Sequence, residues 1–388
     1  MCGTEPHIQT MTTSDAPPVA APPLPSLEPL RLIDDEGRRA ADSARAGFEL
    51  PDTDTLRALL GAMVVGRRFD AQAGALAKQG RLAVYPSSRG QEACQVGGAL
   101  ALAGQDWLFP TYRDSVALIS RGVDPVEVLT LLRGDWHCGY DPKAYRCAPQ
   151  CTPLATNASH AVGLTYAARR KGSDTAALVL MGDGATSEGD AHEAYNFAAV
   201  WNAPVVFLIQ NNEWAISVPL HKQSAAPTLA HKAIGYGMRG YHVDGNDAAA
   251  VHAVVSRALA EARSGGGPAL IEARTYRVEP HTNSDDPTRY RDDAEVERWR
   301  RRDPLARLEA LLRSEGDLDD ARSAEFASRA ESLAESVRTR LAHEPHRSTD
   351  ELFAHVYAEP TPALRRQRAG VREAAARAER GSEPNGGR

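Results

Sequence analysis

Two short apolar runs constrain this chain more than any other feature. Ala177-Leu-Val-Leu-Met181 and Val205-Val-Phe-Leu-Ile209 are continuous, not alternating. A strand with one wet face alternates apolar and polar residues, whereas a continuous run needs apolar cover on both faces, as in a parallel sheet flanked by helices. Between them lie a Gly-rich turn and a helical stretch, Glu188 to Trp201, with Ala194, Phe197, Ala198 and Trp201 on one stripe. Strand, loop, helix, strand is a βαβ unit. Helical spacing recurs at Leu56, Leu59, Leu60, Met63 and Val64 behind a capping Asp52 or Thr53, at the small residues of Gln91 to Leu102, and over Asp247 to Arg263. Ala269 to Tyr276 reads as a further strand, and Asp303-Pro304 as a helix start. The expected fold is α/β: a doubly wound, mostly parallel sheet flanked by helices.

The ends differ in composition. Residues 1–45 are dense in proline (Pro17, Pro18, Pro22, Pro23, Pro25, Pro29) and predict a disordered tail, and residues 364–388 predict a charged tail, at most a solvated helix. The folded domain is expected over 46–363. With 45 Lys+Arg against 51 Asp+Glu the net charge is −6, which argues against nucleic-acid binding. No apolar run approaches the roughly 20 residues that span a bilayer. No charged-then-apolar leader opens the chain, and five cysteines do not read as a disulfide framework, so a cytoplasmic enzyme is expected. Cys138, Cys147 and Cys151 with His137 fit no zinc spacing and read as packed thiols.

Ligands of open α/β sheets bind beyond the carboxyl ends of the strands, so the loops there are where chemistry belongs. The first run is followed by Gly182-Asp-Gly-Ala-Thr-Ser-Glu-Gly189, the second by Gln210-Asn-Asn-Glu-Trp214, and the later strand by Pro280-His-Thr-Asn-Ser-Asp-Asp286. Glycines beside Asp183 let backbone approach a ligand closely. Asp183 and the Asn212 carbonyl are hard oxygen ligands suited to magnesium on a diphosphate. Lysine does not follow these glycines as in a P-loop, and their spacing is not the dinucleotide fingerprint.

Gly182-Asp-Gly184 through Asn211-Asn212 resembles the thiamin-diphosphate motif. Gly-Asp-Gly-Ala-Thr-Ser-Glu-Gly-Asp-Ala-His, Phe109-Pro-Thr-Tyr-Arg113-Asp, Thr152-Pro-Leu-Ala-Thr156, Val243-Asp-Gly-Asn-Asp247 and His281 to Arg291 extend the likeness. The chain resembles alpha subunits of the decarboxylating first component of 2-oxoacid dehydrogenase complexes, closest to the branched-chain type, from about Leu50 to Leu364. The resemblance implies oxidative decarboxylation of a 2-oxoacid on thiamin diphosphate with magnesium, and acyl transfer to the lipoyl group of an acyltransferase component. The same subunit of a pyruvate dehydrogenase is the near alternative, and a structural subunit with a degenerate site the more distant one. It implies a beta subunit that supplies the activating glutamate, in an α2β2 heterotetramer.

Residue by residue, the resemblance implies that Tyr112 and Arg113 hold the diphosphate, and that Asp183, Asn212 and the Trp214 carbonyl ligate magnesium. Gly184 and Ala185 would present amides to the phosphates, and Thr152 and Leu154 would line the aminopyrimidine side. His281 would be the active-site histidine, with an imidazole near its ordinary pKa, and His137 the second. Val84 and Tyr85 fall where relatives place substrate-pocket residues, and Ser284, Asp285 and Asp286 would order the His281 loop. Four departures stand out: Gln210 replaces an arginine and Trp214 a tyrosine, Arg133 to Gly139 is a shortened segment, and Thr282 replaces a regulatory phosphoserine, so kinase control is not carried over.

Overall fold

The computed structural model describes residues 22–135, 137–342 and 348–382. Asp52 Oδ1 accepts from the Thr55 amide and caps helix α1 (Thr53–Lys78), which buries Leu56, Leu59, Leu60 and Met63. Helix α2 (Glu92–Leu100) follows, then strand β1 (Trp107–Phe109), helix α3 (Thr156–Arg170), strand β2 (Ala177–Gly182), helix α4 (Gly189–Val200) and strand β3 (Val205–Asn211). Strand β4 (Arg239–Asp244), helix α5 (Ala248–Arg263) and strand β5 (Ala269–Arg274) complete the sheet. Helices α6 (Pro304–Ser314), α7 (Asp320–Arg340) and α8 (Pro362–Ser382) close the described chain.

The five strands are all parallel, in the order β1-β2-β3-β5-β4. Ala177 pairs with Val205 and Gly182 with Gln210, so the Gly-Asp-Gly and Asn-Asn loops leave neighbouring strands at the same level. The continuous runs behave as their composition requires. Leu178, Leu180, Val206 and Leu208 pack with residues of α1, α2 and α5, while Ala177, Val179, Met181, Val205, Phe207 and Ile209 pack with residues of α3 and α4. One strand thus serves two cores through its period-2 alternation. The small-residue helix α2 lies close to the sheet: a Cβ on Gly98 would stand 3.0 Å from Leu178 and 3.1 Å from Leu208.

Two expectations need correction. Part of the proline-rich leading segment belongs to the fold. Leu30, Leu32 and Ile33 are buried, and Leu30 forms a parallel bridge to Val243 on β4, accepting from the Asp244 amide and donating to the His242 carbonyl at 2.9 Å each. Residues 1–21 lie outside the described residues. In α4 the inward stripe is Ala191, Ala194, Tyr195 and Ala198, whereas Phe197 and Trp201 are exposed and cluster with Tyr166 at centroid distances of 4.6 Å. At the other end, α8 is a largely exposed helix, and residues 383–388 lie outside the description. Among the described residues no helix is long and apolar enough to cross a membrane.

Candidate active site

The carboxyl edge of the sheet opens into a cleft of about 490 Å³. Ten residues singled out from sequence line it: Tyr112 and Arg113 after β1, Thr152 and Leu154 before α3, Asp183, Gly184 and Ala185 after β2, Asn212 and Trp214 after β3, and His281 beyond β5. Val84 lines it as well, but Tyr85 is buried and turned away, its hydroxyl donating to Asp70 Oδ1 at 2.8 Å. His137 is not brought to this cleft. It is exposed, and its Nδ1 accepts from the Gly139 amide at 3.1 Å. The second histidine implied by the resemblance is therefore not assembled with the first.

One wall is cationic. Arg113 Nη1 donates to the Ser87 carbonyl at 3.0 Å, and its Nη2 reaches both the His281 carbonyl at 3.0 Å and His281 Nδ1 at 3.1 Å. Arg277 is fully buried: Nη1 donates to the Trp214 carbonyl at 3.3 Å, Nη2 to the Ile216 carbonyl at 2.7 Å and to Tyr290, while its Nε has no partner. Burial and the neighbouring Arg113 charge lower the Arg277 pKa to about 10. Burial and these two guanidiniums lower His281 to about 4, well below the near-neutral value expected from sequence. A guanidinium only donates, so His281 Nδ1 is its acceptor and the ring proton sits on Nε2. The loop is ordered by Asp285, whose Oδ2 accepts from the His281 amide at 2.9 Å and from the Tyr290 hydroxyl. Asp286 caps the next turn through the Thr288 amide.

The same cleft presents oxygens. Asp183 is buried, no ion pair reaches it among the described residues, and Gln223 Nε2 donates to its Oδ2 at 2.8 Å. Desolvation raises its pKa to about 6, the behaviour of a carboxylate lacking a cation. Asn212 Oδ1 accepts from the Trp214 amide at 3.2 Å. Glu213 and Ile216 hold positive φ of 70° and 55° in the loop that presents these groups, a conformation that persists only where surrounding structure enforces it. Gly184 must be glycine, because a Cβ there would meet the Ala215 Cβ at 2.7 Å. The Gly184 and Ala185 amides open a short turn and have no carbonyl within it to bond. A buried carboxylate with amide and main-chain oxygens near it, sharing one cleft with two guanidiniums, fits a divalent cation bound to a diphosphate.

Arg277, Gln91 and Gln223 escape a motif-based reading. Arg277 lies four residues before His281, so its place on the strand-to-loop exit is the signal that could have found it. Gln91 starts a helix without capping it, and Gln223 belongs to no motif.

The family model described as the dehydrogenase E1 component matches residues 61–346. The chain is 47% identical over 351 residues to the 3-methyl-2-oxobutanoate dehydrogenase subunit alpha of Mycobacterium tuberculosis, covering 90% of this chain and 95% of that one. It is 37% identical to the pyruvate dehydrogenase E1 component subunit alpha of Acholeplasma laidlawii, over 81% of this chain and 92% of that protein. The corresponding Staphylococcus aureus subunit is also 37% identical, over 78% and 81%. With most of its length matched and the cleft at the sheet edge its fold demands, the chain belongs to the dehydrogenase E1 component family, thiamin-diphosphate-dependent 2-oxoacid dehydrogenases.

Proposed function

We propose that this chain is the alpha subunit of a branched-chain 2-oxoacid dehydrogenase. It would act on a 2-oxoacid such as 3-methyl-2-oxobutanoate and deliver the acyl group to the lipoyl group of an acyltransferase component. The observation that carries this reading is the gathering of Asp183, Asn212 and Trp214 with Arg113 and His281 in one cleft, in a chain with 47% identity to an alpha subunit named for that substrate. A degenerate structural subunit is disfavoured because these positions all carry competent groups.

Bound thiamin diphosphate supplies the electron sink for decarboxylation. Asp183, Asn212 and the Trp214 carbonyl would hold magnesium, Tyr112 and Arg113 the diphosphate, Gly184 and Ala185 its phosphate oxygens, and Thr152 and Leu154 the ring side. His281 stays neutral and offers the proton on Nε2, so it serves as a hydrogen-bond donor and proton carrier without adding charge. A beta subunit in an α2β2 heterotetramer would complete the site.

Asp183→Ala in the co-expressed α–β enzyme tests the cleft assignment. Thermal-shift titration should lose the stabilisation that magnesium with thiamin diphosphate gives the parent, equivalent to at least tenfold weaker binding, about 1.4 kcal/mol. An unchanged response would place the site elsewhere.

A further inference from the structure

Four buried side chains, three of which also line the cleft, form a single file of hydrogen bonds in which the proposed chemistry gives a task to Asn212 alone. Asn212 Nδ2 donates to Gln91 Oε1 at 2.8 Å, Gln91 Nε2 to Gln210 Oε1 at 3.0 Å, and Gln210 Nε2 to Asp114 Oδ1 at 2.6 Å. Asp114 is fixed through its other oxygen, which accepts from the Thr111 amide at 2.7 Å and the Thr111 hydroxyl at 2.6 Å. The file crosses from the segment after β1 to the end of β3 and the start of α2, then returns to the loop after β3.

Its direction is set at one end. Both Asp114 oxygens accept, Oδ2 from Thr111 and Oδ1 from Gln210, so Gln210 turns its NH2 to Asp114 and its carbonyl to Gln91. Gln91 must then donate to Gln210 and accept from Asn212. Asn212 therefore spends its NH2 inward, and its Oδ1 stays on the side of the Trp214 amide. Gln91 occupies the N-cap position of α2 without a capping bond, so its amide is free for this role. Partners beyond a metal's ligands orient those ligands, and losing one typically weakens metal binding ten- to hundredfold.

We propose that Gln91 and Gln210 are positioning residues. Together they form an amide relay, anchored on Asp114, that holds Asn212 with its carbonyl oxygen available to a divalent cation. Gln210 stands where the resemblance implies an arginine, so a charged contact is replaced here by a link in the relay. The proposal rests on the cleft assignment above.

The test uses the co-expressed α–β enzyme stripped of cofactor, with magnesium titrated at fixed thiamin diphosphate and half-saturation read by thermal shift and tryptophan fluorescence. Gln210→Glu sets two carboxylates against each other, and Asp114→Asn removes the anchor. Each should raise half-saturating magnesium about tenfold or more. In the double variant the introduced amide can donate to the introduced carboxylate and restore the direction, so half-saturation should return to within about threefold of the parent. Gln91→Met, which adds no charge, should raise it like the single variants. Unchanged single variants, or a double variant no better than the worse single, would overturn the relay. Asp183→Ala separates the two ideas: if it too titrates like the parent, the cleft assignment fails; if it abolishes the response while Gln91→Met does not shift it, the relay alone fails.

Discussion

His281 shows how position decides the chemistry of a side chain. Its imidazole lies between Arg113 and Arg277, and both charges oppose protonation. The unfolded chain takes up a proton near pH 6.5, whereas the folded one does so only near pH 4. Between those values the unfolded state binds more protons, so this stabilising contribution is full above pH 6.5 and is lost as pH falls towards 4. His281→Gln should therefore lose less stability than the parent on acidification through that window, as read from urea midpoints at pH 7 and pH 4.5. Parallel losses would show that the histidine is not held neutral by its neighbours. Asp183, Asn212 and His281 were legible because each sits in a strand-end loop with a recognisable pattern. Arg277 and Gln91 were not, since their roles depend on partners brought from other elements and leave no local spacing.

Among the elements, the sheet was the most legible because burial on both faces writes itself into composition. Boundaries followed from caps such as Asp52. Proline density, by contrast, hid the leading segment, whose order comes from contacts far away in sequence. Asp247 caps α5 through the Ala250 amide at 3.0 Å, while its Oδ2 accepts from the Leu32 and Ile33 amides at 2.7 Å each. Arg307 approaches the same buried carboxylate at 3.9 Å and also pairs with Asp244. Asp247→Ala should cost about 3 kcal/mol by leaving three buried amides and a guanidinium under-satisfied. It should also expose residues 22–45 to limited proteolysis. A loss below about 1 kcal/mol with an unchanged digestion pattern would contradict that anchoring role. In α4 the expected stripe is half right: Ala194 and Ala198 face inward, but the buried aromatic is Tyr195, while Phe197 and Trp201 point out.

On the scale of the whole molecule, the chain is a large domain with a cleft at the carboxyl edge of its sheet and an aromatic cluster in which Phe197 and Trp201 are exposed beside Tyr166, the kind of surface that assembly covers. The net charge of −6 names no partner, whereas the proposed function does, since an alpha subunit of this family implies a beta subunit. Substrate choice tests this account most directly. With the co-expressed beta subunit, thiamin diphosphate and magnesium, kcat/KM for decarboxylation of 3-methyl-2-oxobutanoate should exceed that for pyruvate by at least about tenfold, the scale on which a pocket discriminates extra methyl groups. Faster turnover of pyruvate, or no decarboxylation of either acid by the assembled enzyme, would contradict it.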